Sequence, residues 1–342
     1  MPQLDDFIAR WSGSHGSERA NSQRFLTELI LALDLPPMPT AAADAPAYEF
    51  EHQVPYKDDG GTVHDLRIDL YKRGCFVLES KQGMEIRDRT SLEQIVATPA
   101  KAGTRRGTSA WDRLMDRAFH QAEGYVRRLP ASEGRPPFII VLDVAFAFDL
   151  YAEFSCTGGL YAPFPAPGAN RFFLADLARP EVAAMLTAIW TDPLSLDPAR
   201  RSAKVTRDIA AHLAELAKSL EIDHAPEDVA AFLMRCLFTM FAEDVGLLPD
   251  GCFQHILEDS QDRPDGFAPM AEELWRAMNV GGWSVAVRNK LLRFNGGIFA
   301  DPHALNLDHD QIAVLLKAAK ADWREVEPAI FGTLLERALN PR

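Results

Sequence analysis

The chain has 342 residues, 47% hydrophobic and 25% charged, which is enough for two domains with their own cores and excludes a disordered or fibrous protein. Its 49 acidic residues outnumber 36 basic ones, giving a formal charge of −13, and a surface uniformly of that sign repels nucleic acid. Either nucleic acid is not the partner, or the basic groups are gathered in one place.

The N-terminus, MPQLDDFIAR, lacks the basic-then-apolar layout of a secretion signal. A first helix is expected from Ser17, as N-cap, to about Leu35, where Pro36-Pro37 stop it; Phe25, Leu26, Leu29, Ile30 and Leu33 recur at helical spacing. A Pro/Ala-rich loop follows to Pro46. From Tyr48 to Lys81 the pattern changes to strands, with Arg67–Tyr71 and Cys75–Lys81 alternating around a turn at Gly74. Thr108–Leu129 reads as a helix, Phe138–Phe148 as one buried strand and Asn170–Leu174 as a short later strand. The Phe138–Phe148 run, the most apolar of the chain, is too short to cross a bilayer and contains Asp143.

After Asp192-Pro193 the texture is helical: Ala203–Leu220, Pro226–Gly246, Met270–Val280 and Asp310–Ala319 carry the 3.6-residue period. The domains expected are an α/β domain over residues 1–195 and an all-α domain over 196–342. Cys75, Cys156, Cys236 and Cys252 form no CxxC pair for zinc or redox work, so a cytoplasmic protein with reduced thiols is expected.

Asp69, Glu79 and Lys81 form a D-x9-E-x-K pattern. If Asp69 lies opposite Glu79 in an antiparallel hairpin, Arg67 faces Lys81, Tyr71 faces Val77, and residues 73–75 are the turn. Opposed residues share a face, as do residues two apart, so Asp69, Glu79 and Lys81 cluster on one side. Leu66, Ile68, Leu70, Phe76 and Leu78 are expected on the other. Two carboxylates can hold a hard cation such as Mg²⁺, and a lysine can orient water or stabilise developing charge, which is a workable set for phosphodiester cleavage. Taken alone the pattern is common, and a solvated strand face with a Glu–Lys pair is its commoner explanation.

Three features add weight. The motif falls on a credible hairpin. Gln121 and Tyr125, one helical turn apart, could support the lysine or contact a nucleotide, and Glu18, in the first turn of the first helix, could supply a further metal-facing carboxylate. The basic groups are gathered: residues 101–128 hold Lys101, Arg105, Arg106, Arg113, Arg117, Arg127 and Arg128 against three acids, net +4. Residues 207–280 hold 15 acidic against five basic residues. Lys101, Arg105, Arg106, Arg113 and Arg117 are the expected DNA-contacting set.

Ile68-Asp69, Glu79-Ser80-Lys81 and Gln121-x-x-x-Tyr125 resemble the motif of the PD-(D/E)XK nuclease superfamily, with Ile68 in place of the proline. More specifically, Ser17–Leu26, Phe238–Leu247, Phe294–Phe299 and Ile330–Glu336 resemble phrases of the N-terminal part of MmeI-like (type IIL) restriction–modification enzymes. That resemblance spans nearly all of residues 15–342. It implies a mixed sheet flanked by helices, then a helical spacer leading to an adenine-specific DNA methyltransferase and a target-recognition domain. It also implies Asp69 and Glu79 as Mg²⁺ ligands, Lys81 as the catalytic lysine, double-stranded DNA as substrate, a role in phage defence, and self-association for double-strand cleavage. No Gly-rich cofactor loop or Asn/Asp-Pro-Pro-aromatic tetrapeptide is found, so S-adenosylmethionine is expected only through a methyltransferase domain outside these residues. The alternative is a non-catalytic scaffold that binds DNA or partner proteins.

The patch Asp301, His303, Asp308, His309 and Asp310 has no recognisable ligand spacing and reads as a solvated loop. Phe232, Leu233, Leu237, Met240 and Phe241 read as helical core, and Glu243-Asp244 as caps or solvent-facing acids.

Overall fold

A computed structural model describes residues 2–12, 18–39, 47–57, 63–81, 105–294 and 297–326, without the side chains of 2, 18–20, 55–57 and 63–65. The chain divides into two compact units, Met1–Asp197 and Pro198–Arg342. No helix among the described residues is long and apolar enough to cross a membrane.

Unit 1 is a mixed sheet between helices. Two helices, α1 (Pro2–Trp11) and α2 (Glu18–Ala32), precede strands β1 (Tyr48–Lys57), β2 (Val63–Lys72) and β3 (Phe76–Lys81). Helix α3 (Ser109–Arg128) follows, then β4 (Phe138–Asp143), β5 (Ala147–Ala152), the short β6 (Ala162–Pro163) and β7 (Arg171–Phe173), and α4 (Pro180–Thr191). Along the sheet the order is β1 to β6, with β7 also on β5. β1, β2 and β3 pair antiparallel, β4 lies parallel to β3, and β5 runs antiparallel to β4. The parallel step needs a crossover, and α3 provides it.

Both faces of the sheet are covered, which is why β3 and β4 are almost continuously apolar. One face packs Leu70, Phe76, Leu78, Ile140 and Phe148 against Phe7, Phe25, Leu29, Leu186 and Trp190 of α1, α2 and α4. The other packs Ile68, Tyr71, Val77, Ile139 and Val141 against Trp111, Met115, Ala118, Ala122 and Val126 of α3. Helix α3 starts where its sequence says it should: Thr108 Oγ1 accepts from Trp111 N–H as N-cap.

Several sequence expectations are corrected. Leu66 and Ile68 lie in the α3 layer, whereas Leu70, Phe76 and Leu78 lie in the α2 layer. Strict alternation slips at Asp69, where the neighbouring strand carries Glu51 at a left-handed φ of 53°. The Phe138–Phe148 run is two strands, because Ala145 at φ 61° turns the chain between β4 and β5. Hydrophobicity alone does not reveal a turn whose residues are themselves apolar and at least partly buried. α1, with Leu4, Phe7 and Trp11 buried, and α4 were not anticipated.

Unit 2 has helices α5 (Pro198–Leu220), α6 (Pro226–Asp244), α7 (Cys252–Ser260), α8 (Phe267–Val280) and α9 (His309–Ala319) around one core. Phe232, Leu233, Leu237 and Met240 are buried there, with Phe241 partly so, and Trp275 Nε1 donates to Thr239 Oγ1 at 2.9 Å. Asp308 caps α9, accepting from Gln311 N–H. The unit is not purely helical: strands β8 (Gly282–Ser284) and β9 (Asn289–Leu291) form a hairpin, and neither it nor α7 was expected.

Candidate active site

The β2–β3 register pairs Leu70 with Leu78, Tyr71 with Val77 and Lys72 with Phe76, the register in which Asp69 comes opposite Glu79. Beyond Leu70 the strands are joined differently. Asp69 Oδ2 accepts from Ser80 N–H at 2.7 Å and from Ser80 Oγ at 2.6 Å. Ser80 Oγ in turn accepts from Ser22 Oγ of α2 at 2.9 Å. A carboxylate side chain thus takes the N–H that a ladder carbonyl would otherwise take, and the Ser22 bond ties that point to α2.

Glu79 is 2% exposed, and Lys81 Nζ donates to its Oε1 at 2.6 Å. Between β2, β3, β1 and α2 lies a cleft of about 380 Å³, lined by Ser22, Gln23, Glu51, Arg67, Asp69, Glu79, Ser80 and Lys81. From the α3 side, Gln121 Nε2 donates to the buried Tyr125 hydroxyl at 2.5 Å. The Tyr125 pKa is raised, first by burial, with the Gln121 bond opposing; Glu79 and Asp69 push it further up and Lys81 pulls it down.

The start of α3 is fixed by buried ion pairs at the ends of the neighbouring strands. Asp143, fully buried and paired in the ladder with Lys81, accepts from Arg106 Nε at 2.9 Å, Arg106 Nη2 at 2.7 Å and Trp111 Nε1 at 2.8 Å. Arg171 bonds Asp149 through Nε at 2.6 Å and Nη2 at 2.7 Å, reaches Asp112 at 2.7 Å and lies over the Trp111 ring. Burial raises the Asp149 pKa against the opposing pull of Arg171.

A family model for the MmeI N-terminal domain matches residues 2–223, and one for the MmeI helicase spacer domain matches residues 227–299. The chain belongs to the MmeI family. No curated protein matches it. Among solved structures, one titled "cryoEM structure DrdV-DNA complex" matches at 14% identity with a TM-score of 0.27, covering 99% of this chain. The MmeI-family chain spans 29% of the length of that one.

Asp69, Glu79 and Lys81 meet at one cleft in this MmeI-family chain, while Gln121 and Tyr125 bond each other on α3 and are not part of its lining. Glu18 opens α2, but its side chain lies outside the described residues, as does Lys101 altogether. Arg105, Arg113 and Arg117 are exposed, the last two one turn apart on α3. Arg106 departs from the expected phosphate-contacting set: its guanidinium is committed to Asp143 and stacked on Phe146, which makes it a strut. Ser22, Gln23, Glu51, Arg67 and Ser80 were not foreseen as lining the cleft. For Arg67 the hairpin register was the available signal; for Ser22 and Glu51 none existed, because they arrive from other elements.

Proposed function

We propose that unit 1 is a PD-(D/E)XK-type endonuclease domain hydrolysing DNA phosphodiesters with Mg²⁺, within a restriction–modification enzyme that also carries methyltransferase and target-recognition domains. The observation that carries this reading is the convergence of Asp69, Glu79 and Lys81 on one cleft where β2 and β3 part. The αβββαβ succession from α2 to β4, with β4 parallel to β3, supports it.

Among the described residues no three His, Cys, Asp or Glu side chains come together as a metal-binding group. Asp69 and Glu79 still fit Mg²⁺, which is commonly held by one or two carboxylates and completes its shell with water and substrate phosphate oxygens. Bound there, the cation would polarise the phosphate and lower the pKa of an attacking water. Ser80 fixes the Asp69 carboxylate through two hydrogen bonds. Lys81 directs its ammonium at the point where charge develops on the phosphate, and Glu79 holds that ammonium in place. Arg105, Arg113 and Arg117 meet the phosphate backbone leading to it. One such site cuts one strand, so a double-strand break takes a second copy.

The test is nicking of supercoiled plasmid with and without Mg²⁺. The protein should nick only with the cation, and Asp69→Ala and Lys81→Ala should each lose roughly a hundredfold or more of the rate, the scale of removing one electrostatic stabiliser. Undiminished nicking by either variant would overturn the assignment. DNA binding without any nicking by the parent protein would favour the scaffold reading.

A further inference from the structure

The β8–β9 hairpin stands apart from the acidic unit that carries it. Of ten large hydrophobic residues exposed among the described residues, four fall within residues 280–292: Val280, Trp283, Val285 and Leu292. That concentration makes a patch, where scattered exposure would need no explanation. Trp283 is 67% exposed, whereas the chain's other five tryptophans are at most 4% exposed.

Charge distinguishes the patch further. Residues 281–300 hold Arg288, Lys290 and Arg293 and no Asp or Glu, directly after the strongly acidic stretch 207–280. All three cations are exposed. Trp283 pairs across the ladder with Lys290, so the ring and the ammonium share the outer face, while Ser284 and Leu291 are buried beneath. The nearest acid below, Glu273, is taken up in holding the hairpin. Its carboxylate accepts from Ser284 Oγ at 2.6 Å, Val285 N–H at 2.8 Å and Ala286 N–H at 3.0 Å. The ribbon is therefore ordered before any partner arrives, which lowers the entropic cost of binding.

We propose that the outer face of the β8–β9 hairpin is a second contact for duplex DNA, separate from the cleft of unit 1. Arg288, Lys290 and Arg293 meet phosphates, and Trp283 with Val285 packs against sugar and base edges in a groove that admits a two-stranded ribbon. A protein partner fits less well, because the centres of protein interfaces are depleted in lysine and Lys290 sits opposite Trp283 in the middle of this face. The inference rests on the nuclease reading only for its choice of DNA as partner.

Because Trp283 is the exposed tryptophan, acrylamide quenching of intrinsic fluorescence reports on this face in the unmodified protein. The titration uses a short duplex of mixed sequence in EDTA, so cleavage plays no part, and anisotropy of the labelled duplex measures binding independently. DNA should shield the quenchable fraction. Trp283→Ala should weaken binding roughly tenfold, on the scale of aromatic contacts to bases. Substituting Arg288, Lys290 and Arg293 by Ala should flatten the dependence of log K on log salt by about 0.9 for each phosphate that is no longer neutralised. Three outcomes would overturn the proposal: DNA bound with Trp283 still fully quenchable and the salt slope unchanged, no DNA binding by the protein, or shielding that grows with protein concentration alone and so reports a protein partner. Failure of the nuclease reading shows separately, as plasmid nicking that persists in Asp69→Ala.

Discussion

Ser80 sits between two candidate catalytic residues and is not one itself. Its N–H and Oγ both donate to Asp69, and Ser22 donates to its oxygen, so one side chain links α2, β2 and β3. Ser80→Ala removes the Oγ bond and keeps the backbone one. A loss of about 1 kcal/mol in urea unfolding is expected, with a larger proportional loss of nicking than of DNA affinity, because Asp69 is then held by one donor. Arg106 has the opposite character. It lies in the basic stretch yet spends its guanidinium on a fully buried aspartate. Removing one partner strands the other charge in the interior, so Arg106→Ala should cost about 3 kcal/mol of unfolding free energy. Arg106→Lys should recover only part of that, since an ammonium cannot bond both Asp143 oxygens in the fork geometry. Full stability in Arg106→Ala would show that the pair is not a strut.

Among the elements, α7 depends on a cap supplied from elsewhere. Glu243, near the end of α6 and 8% exposed, accepts from Phe253 N–H in the first turn of α7. Burial pushes its pKa up from 4.5 to about 7, with Asp244 and Asp250 adding to the rise and the N–H groups of Phe253 and Gln254 opposing it. The folded carboxyl therefore keeps a proton that the unfolded chain releases near 4.5. Between about 4.5 and about 7 the folded state binds more protons, so stability should fall as pH rises through that window, by at most about 1.4 kcal/mol per pH unit. Glu243→Gln keeps an acceptor for Phe253 and should flatten this slope, as read from urea midpoints across the window. The sequence offers Glu243 as a cap, but which helix it caps is invisible there, because donor and acceptor belong to different helices. What was legible is local by nature. The turn at 73–75 and the register that brings Asp69 opposite Glu79 follow from hairpin arithmetic, and the helix expected over Thr108–Leu129 is α3. What was missed is decided by neighbours: the break at Ala145 inside an apolar run, the slip of Ile68 to the α3 layer, and the arrival of Ser22 and Glu51 at the cleft.

Over the whole molecule, the charge of −13 has to be reconciled with the anionic substrate proposed for unit 1. Its distribution makes that feasible, since residues 207–280 carry much of the acid and residues 101–128 are net positive. Within that basic stretch the structure separates cations that hold the fold from cations that face water. Arg106 is tied to the buried Asp143, whereas Arg113 and Arg117 stand exposed one turn apart on the helix that also carries Gln121 and Tyr125. If that edge of α3 tracks the phosphate backbone toward the cleft, Arg113→Ala/Arg117→Ala should weaken duplex binding without regard to sequence. Each released phosphate should reduce the slope of log K against log salt by about 0.9, so the pair should remove just under two units. Unfolding free energy should stay within about 0.5 kcal/mol of the parent, because both side chains are on the surface. An unchanged salt slope in the double variant would mean that the DNA approaches by another face, and the gathered basic residues would then serve solubility and local pairing alone.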